Sequence, residues 1–409
     1  MLKFHHLLFC RPDCLVLLAG LLLAVIGCSE NTDNGTGVLL VPQGKVGALP
    51  EEREFRQAIE VANPSGTPLS KGDQTRLLAG HNGQYEMRAV MSFLFNLPAD
   101  TRIVSGTLRL YVLAVNGQKP VNLAVYLLQQ EFIESEVTYE QASAASPWAT
   151  PGGDFGVTPL GSAVYEGAGL DTITIALDSL ALNDYLKTGV DSLPLAVLTD
   201  GADNYLSLVA REYIPSQAVA SRLDLVFTLA GQTTNSVVER RAFMDATLIH
   251  YTGTAPVSSL LQLGENPQSQ LFFDYDLSAL PPYATVNQAR LYLSIASTTF
   301  IDSFLVASTI SSDKSFVPPG QIFVGTEHSV RANDSLLVLN ITVTMQSLIL
   351  ARLTGDPRKY LVLTSFSPTN IAGFLEFFPP DWPEPGRRPY LSLIYTDAPE
   401  AAKPAKPAK

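Results

Sequence analysis

The sequence predicts an all-β protein made of two tandem antiparallel β-sandwiches, each with one short helix. Three observations lead to this expectation: apolar and polar residues alternate in many segments, Gly and Pro are frequent at 28 each, and one order of elements occurs twice. Alternation with a period of two is typical of strands that bury one face, and turn residues between them indicate antiparallel sheets. A chain of 409 residues with 46% hydrophobic residues is long and apolar enough for two packed cores.

The alternation is clearest in residues 107–112, where Leu108, Leu110 and Val112 would face the core and Arg109 and Tyr111 the other side. The same pattern recurs in residues 171–177, 222–227 and 391–395. Helical pattern is confined to two short segments, residues 179–187 and 345–353, and Asp178 or Ser179 is the expected N-cap of the first.

The internal repeat sets the expected domain boundaries. In each half an aromatic segment is followed by an alternating strand, the short helix, a buried strand and a strand that begins with Arg. We therefore expect a first sandwich at residues 51–231 and a second at 237–397, separated by the polar segment between them. Residues 398–409 are a Pro/Ala/Lys tail that we expect to be disordered.

The N-terminus predicts an anchored, exported protein. The uncharged run at residues 15–27 follows Lys3 and Arg11 and is shorter than the roughly 20 residues that span a bilayer core of about 30 Å. The end of this run and the next residue read Val-Ile-Gly-Cys, which resembles a bacterial lipobox. The resemblance implies a signal peptide at 1–27 and lipidation of Cys28. The alternative is an ordinary signal peptide with a chance Cys. Residues 28–50 would form a flexible tether, and Ser29 resembles an outer-membrane sorting signal.

Composition also excludes one class of partner. The formal net charge is −12, whereas binding to the phosphates of nucleic acid needs a basic face. We therefore expect no nucleic-acid partner.

The order of the motifs resembles the DNRLRE-type domain, a family related to carbohydrate-binding modules, some of which bind alginate. In the second half the similar residues are 273–281, 284–286 and 289–293, with Asp245 near the start of the copy. In the first half they are 103–111, an acidic and aromatic turn at 132–139, and the pair Arg211-Glu212. Together they cover most of residues 55–396 as two divergent copies. The resemblance implies jelly-roll sandwiches outside the cytoplasm and, where a function is known, polysaccharide binding.

Four residues are candidates for ligand binding. Trp148 and Trp382 lie in predicted loops, where an indole ring could either stack on a sugar ring or cap a sandwich core. Arg109 and Arg290 occupy equivalent places in the repeat, where a guanidinium could grip a uronate carboxylate or pair with a neighbouring acid and fasten the sheet. We favour the structural role for both arginines.

Other polar clusters point to no chemistry of their own. Glu134, Glu136 and Glu140 could serve acid–base catalysis only if one were buried, and we favour a solvated turn. For residues 200–204 we favour a hairpin turn over a calcium-binding loop, because the EF-hand spacing is absent. No zinc, nucleotide or nucleophile pattern occurs, so we expect no catalytic residue, no metal ligand and no cofactor.

The expected function is non-enzymatic binding of a polysaccharide or another surface component by a lipoprotein of the cell envelope. The membrane would be one partner, through the lipid on Cys28. Two alternatives stay open: a protein–protein docking or structural subunit of an envelope assembly, and a polysaccharide lyase or hydrolase.

Overall fold

A computed structural model describes residues 50–58, 60–63, 70–213, 219–253, 259–265, 268–281, 283–299, 304–315, 317, 328–331, 333–365 and 373–397. The expected signal peptide at 1–27, the lipidation site Cys28, nearly all of the tether at 28–50 and the tail at 398–409 lie outside these residues. Neither α-helix in the described part of the chain has the length and apolarity needed to cross a bilayer.

The described part of the chain begins with two short strands and continues into a first sandwich. The opening strands are β1 (Glu51–Phe55) and β2 (Glu60–Ala62). The elements that follow are β3 (Arg76–Asn82), β4 (Tyr85–Leu94), β5 (Thr101–Gly117), β6 (Val121–Leu127), β7 (Gln141–Ser143), β8 (Ser146–Pro147), β9 (Gly161–Tyr165), β10 (Asp171–Leu177), α1 (Ser179–Leu186), β11 (Ser192–Thr199), β12 (Asn204–Val209), β13 (Arg222–Leu229) and β14 (Ser236–Tyr251).

The second sandwich contains the rest of the described chain. Its elements are β15 (Leu261–Glu265), β16 (Gln268–Ser269), β17 (Leu271–Asp274), β18 (Thr285–Thr298), β19 (Phe304–Ser311), β20 (His328–Val330), β21 (Leu336–Asn340), α2 (Thr342–Thr354), β22 (Tyr360–Ser365), β23 (Phe374–Phe377), a 3₁₀ turn (Pro385–Arg387) and β24 (Tyr390–Thr396). All strand pairs are antiparallel, so the all-β class with two short helices is confirmed.

Strand pairing repeats between the two sandwiches. In the first, the long strand β5 pairs with β10, β12 and β13, while β6 pairs with β9 and β11. In the second, β18 pairs with β21, β23 and β24, while β19 pairs with β20 and β22. These partners occur in the same chain order, and α1 and α2 occupy equivalent places between them. The two halves therefore share one topology.

The strand that closes each sandwich is exchanged between the halves. β14 pairs with β13 and β4, which places residues 236–251 in the first sandwich. β1 pairs with β24, and β2 pairs with β17, which places these two opening strands in the second. The expected division at 231–237 is therefore corrected: the first sandwich is residues 70–253, and the second combines 50–63 with 259–397. The short connection from β13 to β14 enforces this arrangement, because it leaves room only for an antiparallel neighbour.

Each sandwich has its own core, which one helix caps. Leu182 of α1 is fully buried and lies so close to Gly106 that a Cβ there would be 2.5 Å from its Cδ1. Asn183 bonds both backbone groups of Ile103, each at 2.8 Å. Asp178 caps α1 by accepting from the Leu180 N–H at 2.8 Å, as its sequence position predicted. The second helix, α2, starts three residues earlier than expected, at Thr342.

Candidate functional site

Trp148 is part of the protein interior. It is 4% exposed, packs with Val137 and Leu248, and donates from its Nε1 to the Thr138 carbonyl at 3.0 Å. The loop that contains it covers the outer face of the sheet formed by β4, β11 and β14. Trp148 therefore caps a core, and the expectation that it stacks on a ligand is corrected.

Trp382 lies at a groove in the second sandwich. The groove has a volume of about 580 Å³, and its lining includes Trp382, Asp381, Gln262 and Asn63. The indole ring is partly exposed, and its inner side packs on Phe378 with 4.8 Å between ring centroids. A flat apolar ring beside amide and carboxylate groups is a combination that can bind a sugar ring.

Hydrogen bonds from two side chains, Asn63 and Arg388, fix the shape of this groove. Asn63 Nδ2 donates to the carbonyls of Gln262 and Gln270 at 2.7 and 2.8 Å, and its Oδ1 accepts from the Gln262 N–H at 2.7 Å. Arg388 Nε donates to the Trp382 carbonyl at 2.6 Å. Because Asn63 directly follows β2, the exchanged opening segment forms part of the groove wall.

The two repeat-equivalent arginines lie within sheets, away from this groove. Arg109 is half-exposed on β5, opposite Thr174 and Arg222, and its guanidinium pairs with Asp224 at 2.6 Å. Arg290 is partly exposed on β18, opposite Asn340 and Ser392. Their positions match in the two topologies, and the ion pair of Arg109 agrees with the favoured role of fastening a sheet.

A second polar site lies in the first sandwich, where three carboxylates meet. Glu134 comes from the turn after β6, Glu212 from the turn after β12, and Asp245 from β14. One oxygen from each lies within 4.8 Å of the others. The Asp245 N–H donates to Glu134 Oε1 at 2.8 Å, and the Arg211 N–H donates to Asp245 Oδ2 at 2.8 Å. We call these three residues the acidic cluster.

Gly72 and Arg211 hold the glutamates of the acidic cluster in place. A Cβ at Gly72 would be 2.4 Å from Glu134 Cγ, so only glycine allows this close packing. The Arg211 guanidinium pairs with Glu134 at 2.7 Å and with Glu212 at 2.6 Å.

Burial sets the electrostatics of the cluster. It raises the pKa of the Asp245 carboxyl to about 8, and the nearby Glu212 and Glu134 carboxylates add to this rise. Burial also raises the pKa of Glu134, against the opposing effect of the Asp245 N–H and the Arg211 guanidinium. Both carboxyls therefore hold their protons more tightly than they would in water.

The sequence did not predict the acidic cluster, although it drew attention to all its members. The sequence grouped Glu134 with Glu136 and Glu140 in a solvated turn, but in the structure Glu136 accepts from the Ala144 N–H and Glu140 accepts from the Thr138 hydroxyl, away from the cluster. The resemblance gave no signal for it, because it assigned Asp245 to the second copy and the acidic turn and the Arg211-Glu212 pair to the first. The 200–204 segment forms a turn between β11 and β12, with Asn122 bonded to Asp200, but the expected hairpin is wrong. β11 pairs with β4 and β6, whereas β12 pairs with β3 and β5.

Comparison with known proteins adds no assignment. No family model matches the chain, and no curated protein resembles it.

Proposed function

We propose that this chain is a non-enzymatic lipoprotein of the bacterial cell envelope that binds a polysaccharide in the groove beside Trp382. The observation that carries the proposal is the composition of that groove: an aromatic face, two amides and a carboxylate around about 580 Å³. This volume falls in the range of about 300–1,000 Å³ that is usual for small-ligand sites. The DNRLRE-type resemblance points to the same class of ligand.

The chemistry of the groove suits a sugar residue. The C–H face of a pyranose is apolar and can pack on the exposed part of the Trp382 ring. Asp381 and Gln262 supply polar groups around that ring for the hydroxyls. Phe378 supports the indole from behind and Arg388 bonds its backbone, so little side-chain freedom would be lost on binding.

Anchoring follows from the N-terminal sequence. Lipid on Cys28 would hold the protein at the outer membrane, and the polar segment that follows would separate the sandwiches from the bilayer. Two or more acyl chains give stable anchoring, whereas one is marginal.

Binding is favoured over catalysis because of where the carboxylates lie. A glycosidase needs two carboxyls that reach the scissile bond. In the acidic cluster Asp245 is 1% exposed, so a sugar cannot touch it. A lyase or hydrolase is therefore not the function we propose.

One observation favours the alternative of protein docking. An apolar groove of about 340 Å³ lies beside α2, where Val343 and Leu350 are 60% and 54% exposed. Exposed apolar side chains in one groove are typical of a surface that a partner covers.

The two functions can be separated with one pair of variants. The full chain, purified in detergent, is tested on a panel of neutral and uronate polysaccharides, beside Trp382→Ala and Leu350→Ala. We expect binding by the parent chain, at least roughly tenfold weaker binding by Trp382→Ala, and no change in Leu350→Ala. Equal thermal unfolding of all three shows that the fold is intact.

Two outcomes would contradict the proposal. No binding to any polysaccharide would refute it, and unchanged binding by Trp382→Ala would move the site away from the groove. A stoichiometric partner that the parent chain retains and Leu350→Ala loses, without polysaccharide binding, would instead support docking.

A further inference from the structure

The acidic cluster brings several negative charges together in one place. Glu134, Glu212 and Asp245 bring three carboxylates together, and Asp73 adds a fourth that acts on Glu134. Arg211 bonds one oxygen of each glutamate. When the three carboxyls of the cluster are ionised, their negative charges therefore lie close to one another.

Two oxygens in the cluster are buried without a protein partner. Asp245 Oδ1 and Glu212 Oε2 are both sealed from solvent, and neither has a hydrogen-bond partner among the described residues. Asp245 as a whole is 1% exposed. A buried carboxylate oxygen without a partner is costly, since water solvates the same oxygen in the unfolded chain.

We propose that Glu134, Glu212 and Asp245 bind a divalent cation of the calcium type. Calcium takes oxygen ligands at 2.3–2.6 Å, so two ligands of one ion lie at most about 5 Å apart. The 4.8 Å limit on the cluster's oxygens satisfies this requirement. The ion would bind one oxygen of each carboxylate, offset part of their negative charge and give the buried Asp245 side chain a further partner.

The ligand set and the access route both fit this class of ion. The cluster offers only carboxylate oxygens, which suit hard cations, whereas zinc favours His and Cys. Glu212 and Arg211 are partly exposed at 26% and 43% of their side chains, so the site opens to solvent on that side. Water can enter there and fill the remaining coordination positions.

This site is independent of the proposed polysaccharide groove, which lies in the other sandwich. It also changes an expectation drawn from the sequence, which predicted no metal ligand. Calcium would join the turn after β6, the turn after β12 and the exchanged strand β14, and so fasten three distant parts of the chain.

The test is a calorimetric titration of CaCl₂ into the full chain after chelator treatment, with MgCl₂ as the comparison. We expect one site with a Kd of roughly 10⁻⁴–10⁻³ M for calcium, the range of extracellular modules, and weaker binding of magnesium. Asp245→Asn and Glu212→Gln should each weaken calcium binding at least tenfold. Glu140→Gln is the matched control, since Glu140 lies in the same turn but outside the cluster, and its binding should not change.

Urea unfolding supplies a second readout. Calcium at 10 mM should raise the unfolding midpoint of the parent chain and of Glu140→Gln, and leave that of Asp245→Asn unchanged. No calcium binding by the parent chain would overturn the proposal, as would equal binding by the parent chain and Glu212→Gln. If Asp245→Asn did not fold, Glu212→Gln alone would decide, because Glu212 is only partly buried and this substitution is the less disruptive of the two.

Discussion

Between pH 5 and pH 7, the stability of the first sandwich should fall as pH rises, and Asp245 should be the main cause. Burial raises the pKa of this carboxyl from 3.8 in the unfolded chain to about 8 in the folded one. In this window the folded protein keeps the proton and the unfolded chain has released it, so raising the pH favours unfolding. Each pH unit is worth about 1.4 kcal/mol, so the expected loss over two units is about 3 kcal/mol.

Other carboxyls do not obscure this window. Glu134 has a raised pKa and adds to the effect in the same direction. Glu86, Asp276 and Asp356 have lowered pKa values, so the stability that they contribute is lost only below about pH 4.5. A decline in stability above pH 5 therefore reports the carboxyls whose pKa is raised by burial.

The perturbation is Asp245→Asn, studied with chelator present so that no cation competes. Asn has the shape of the protonated acid and can still accept the Arg211 N–H bond, but it cannot ionise. Urea unfolding is followed by the fluorescence of Trp148 in a Trp382→Phe background, since the chain has two Trp residues. With an m-value of about 2–3 kcal/mol per molar, the parent midpoint should drop by about 1–1.5 M from pH 5 to pH 7.

The variant should show a clearly smaller drop, with only the Glu134 contribution remaining. If the variant keeps the full slope of the parent, Asp245 is not the titrating group and the reasoning is refuted. A parent stability that rises from pH 5 to pH 7 would refute it equally, because it would require the unfolded chain to hold more protons.

Three further predictions concern the corrected architecture. Residues 70–253 should fold alone and unfold cooperatively in urea, whereas 51–231, which lacks β14, should not; cooperative unfolding of the latter would contradict the strand exchange. Trp148→Ala should lower the free energy of unfolding by about 3–5 kcal/mol, while the folded fraction binds polysaccharide as tightly as the parent chain. Loss of binding without loss of stability would show instead that Trp148 contacts the ligand. Arg109→Ala should cost less than about 1 kcal/mol because its ion pair is half-exposed, and a larger coupling to Asp224 in a double-mutant cycle would contradict that estimate.

The sequence predicted the fold well where the signal is local. Alternation placed strands correctly within β5, β10, β13 and β24, because a half-buried strand must alternate along its own length. Capping chemistry placed α1 for a similar reason, since Asp178 satisfies N–H groups only two and three residues away. The start of α2 was missed because no side chain caps it.

Candidate sites were harder to predict because they depend on which segments meet. The sequence ranked Trp148 and Trp382 alike, since both lie next to prolines in predicted loops. Only tertiary packing distinguishes the two side chains: Trp148 is buried in an apolar cluster, whereas Trp382 borders a groove. The acidic cluster joins Glu134 to Asp245 across 111 positions, a juxtaposition that no periodicity encodes.

The exchanged strands make the two halves depend on each other in a way that the repeat conceals. Asn63, which precedes the first sandwich in the chain, shapes the groove of the second sandwich, and Asp245, from beyond the midpoint, belongs to the acidic cluster of the first. A cut between residues 231 and 237 would therefore remove β14 from one core and separate β1 and β2 from the other. Both candidate sites would be damaged together although neither touches the cut. Asp245 of the cluster lies on an exchanged strand, and Asn63 of the groove directly follows one. Loss of function in such halves would therefore reflect incomplete sandwiches and not the loss of one particular site. Only point variants in the complete chain can assign function to the groove or the cluster.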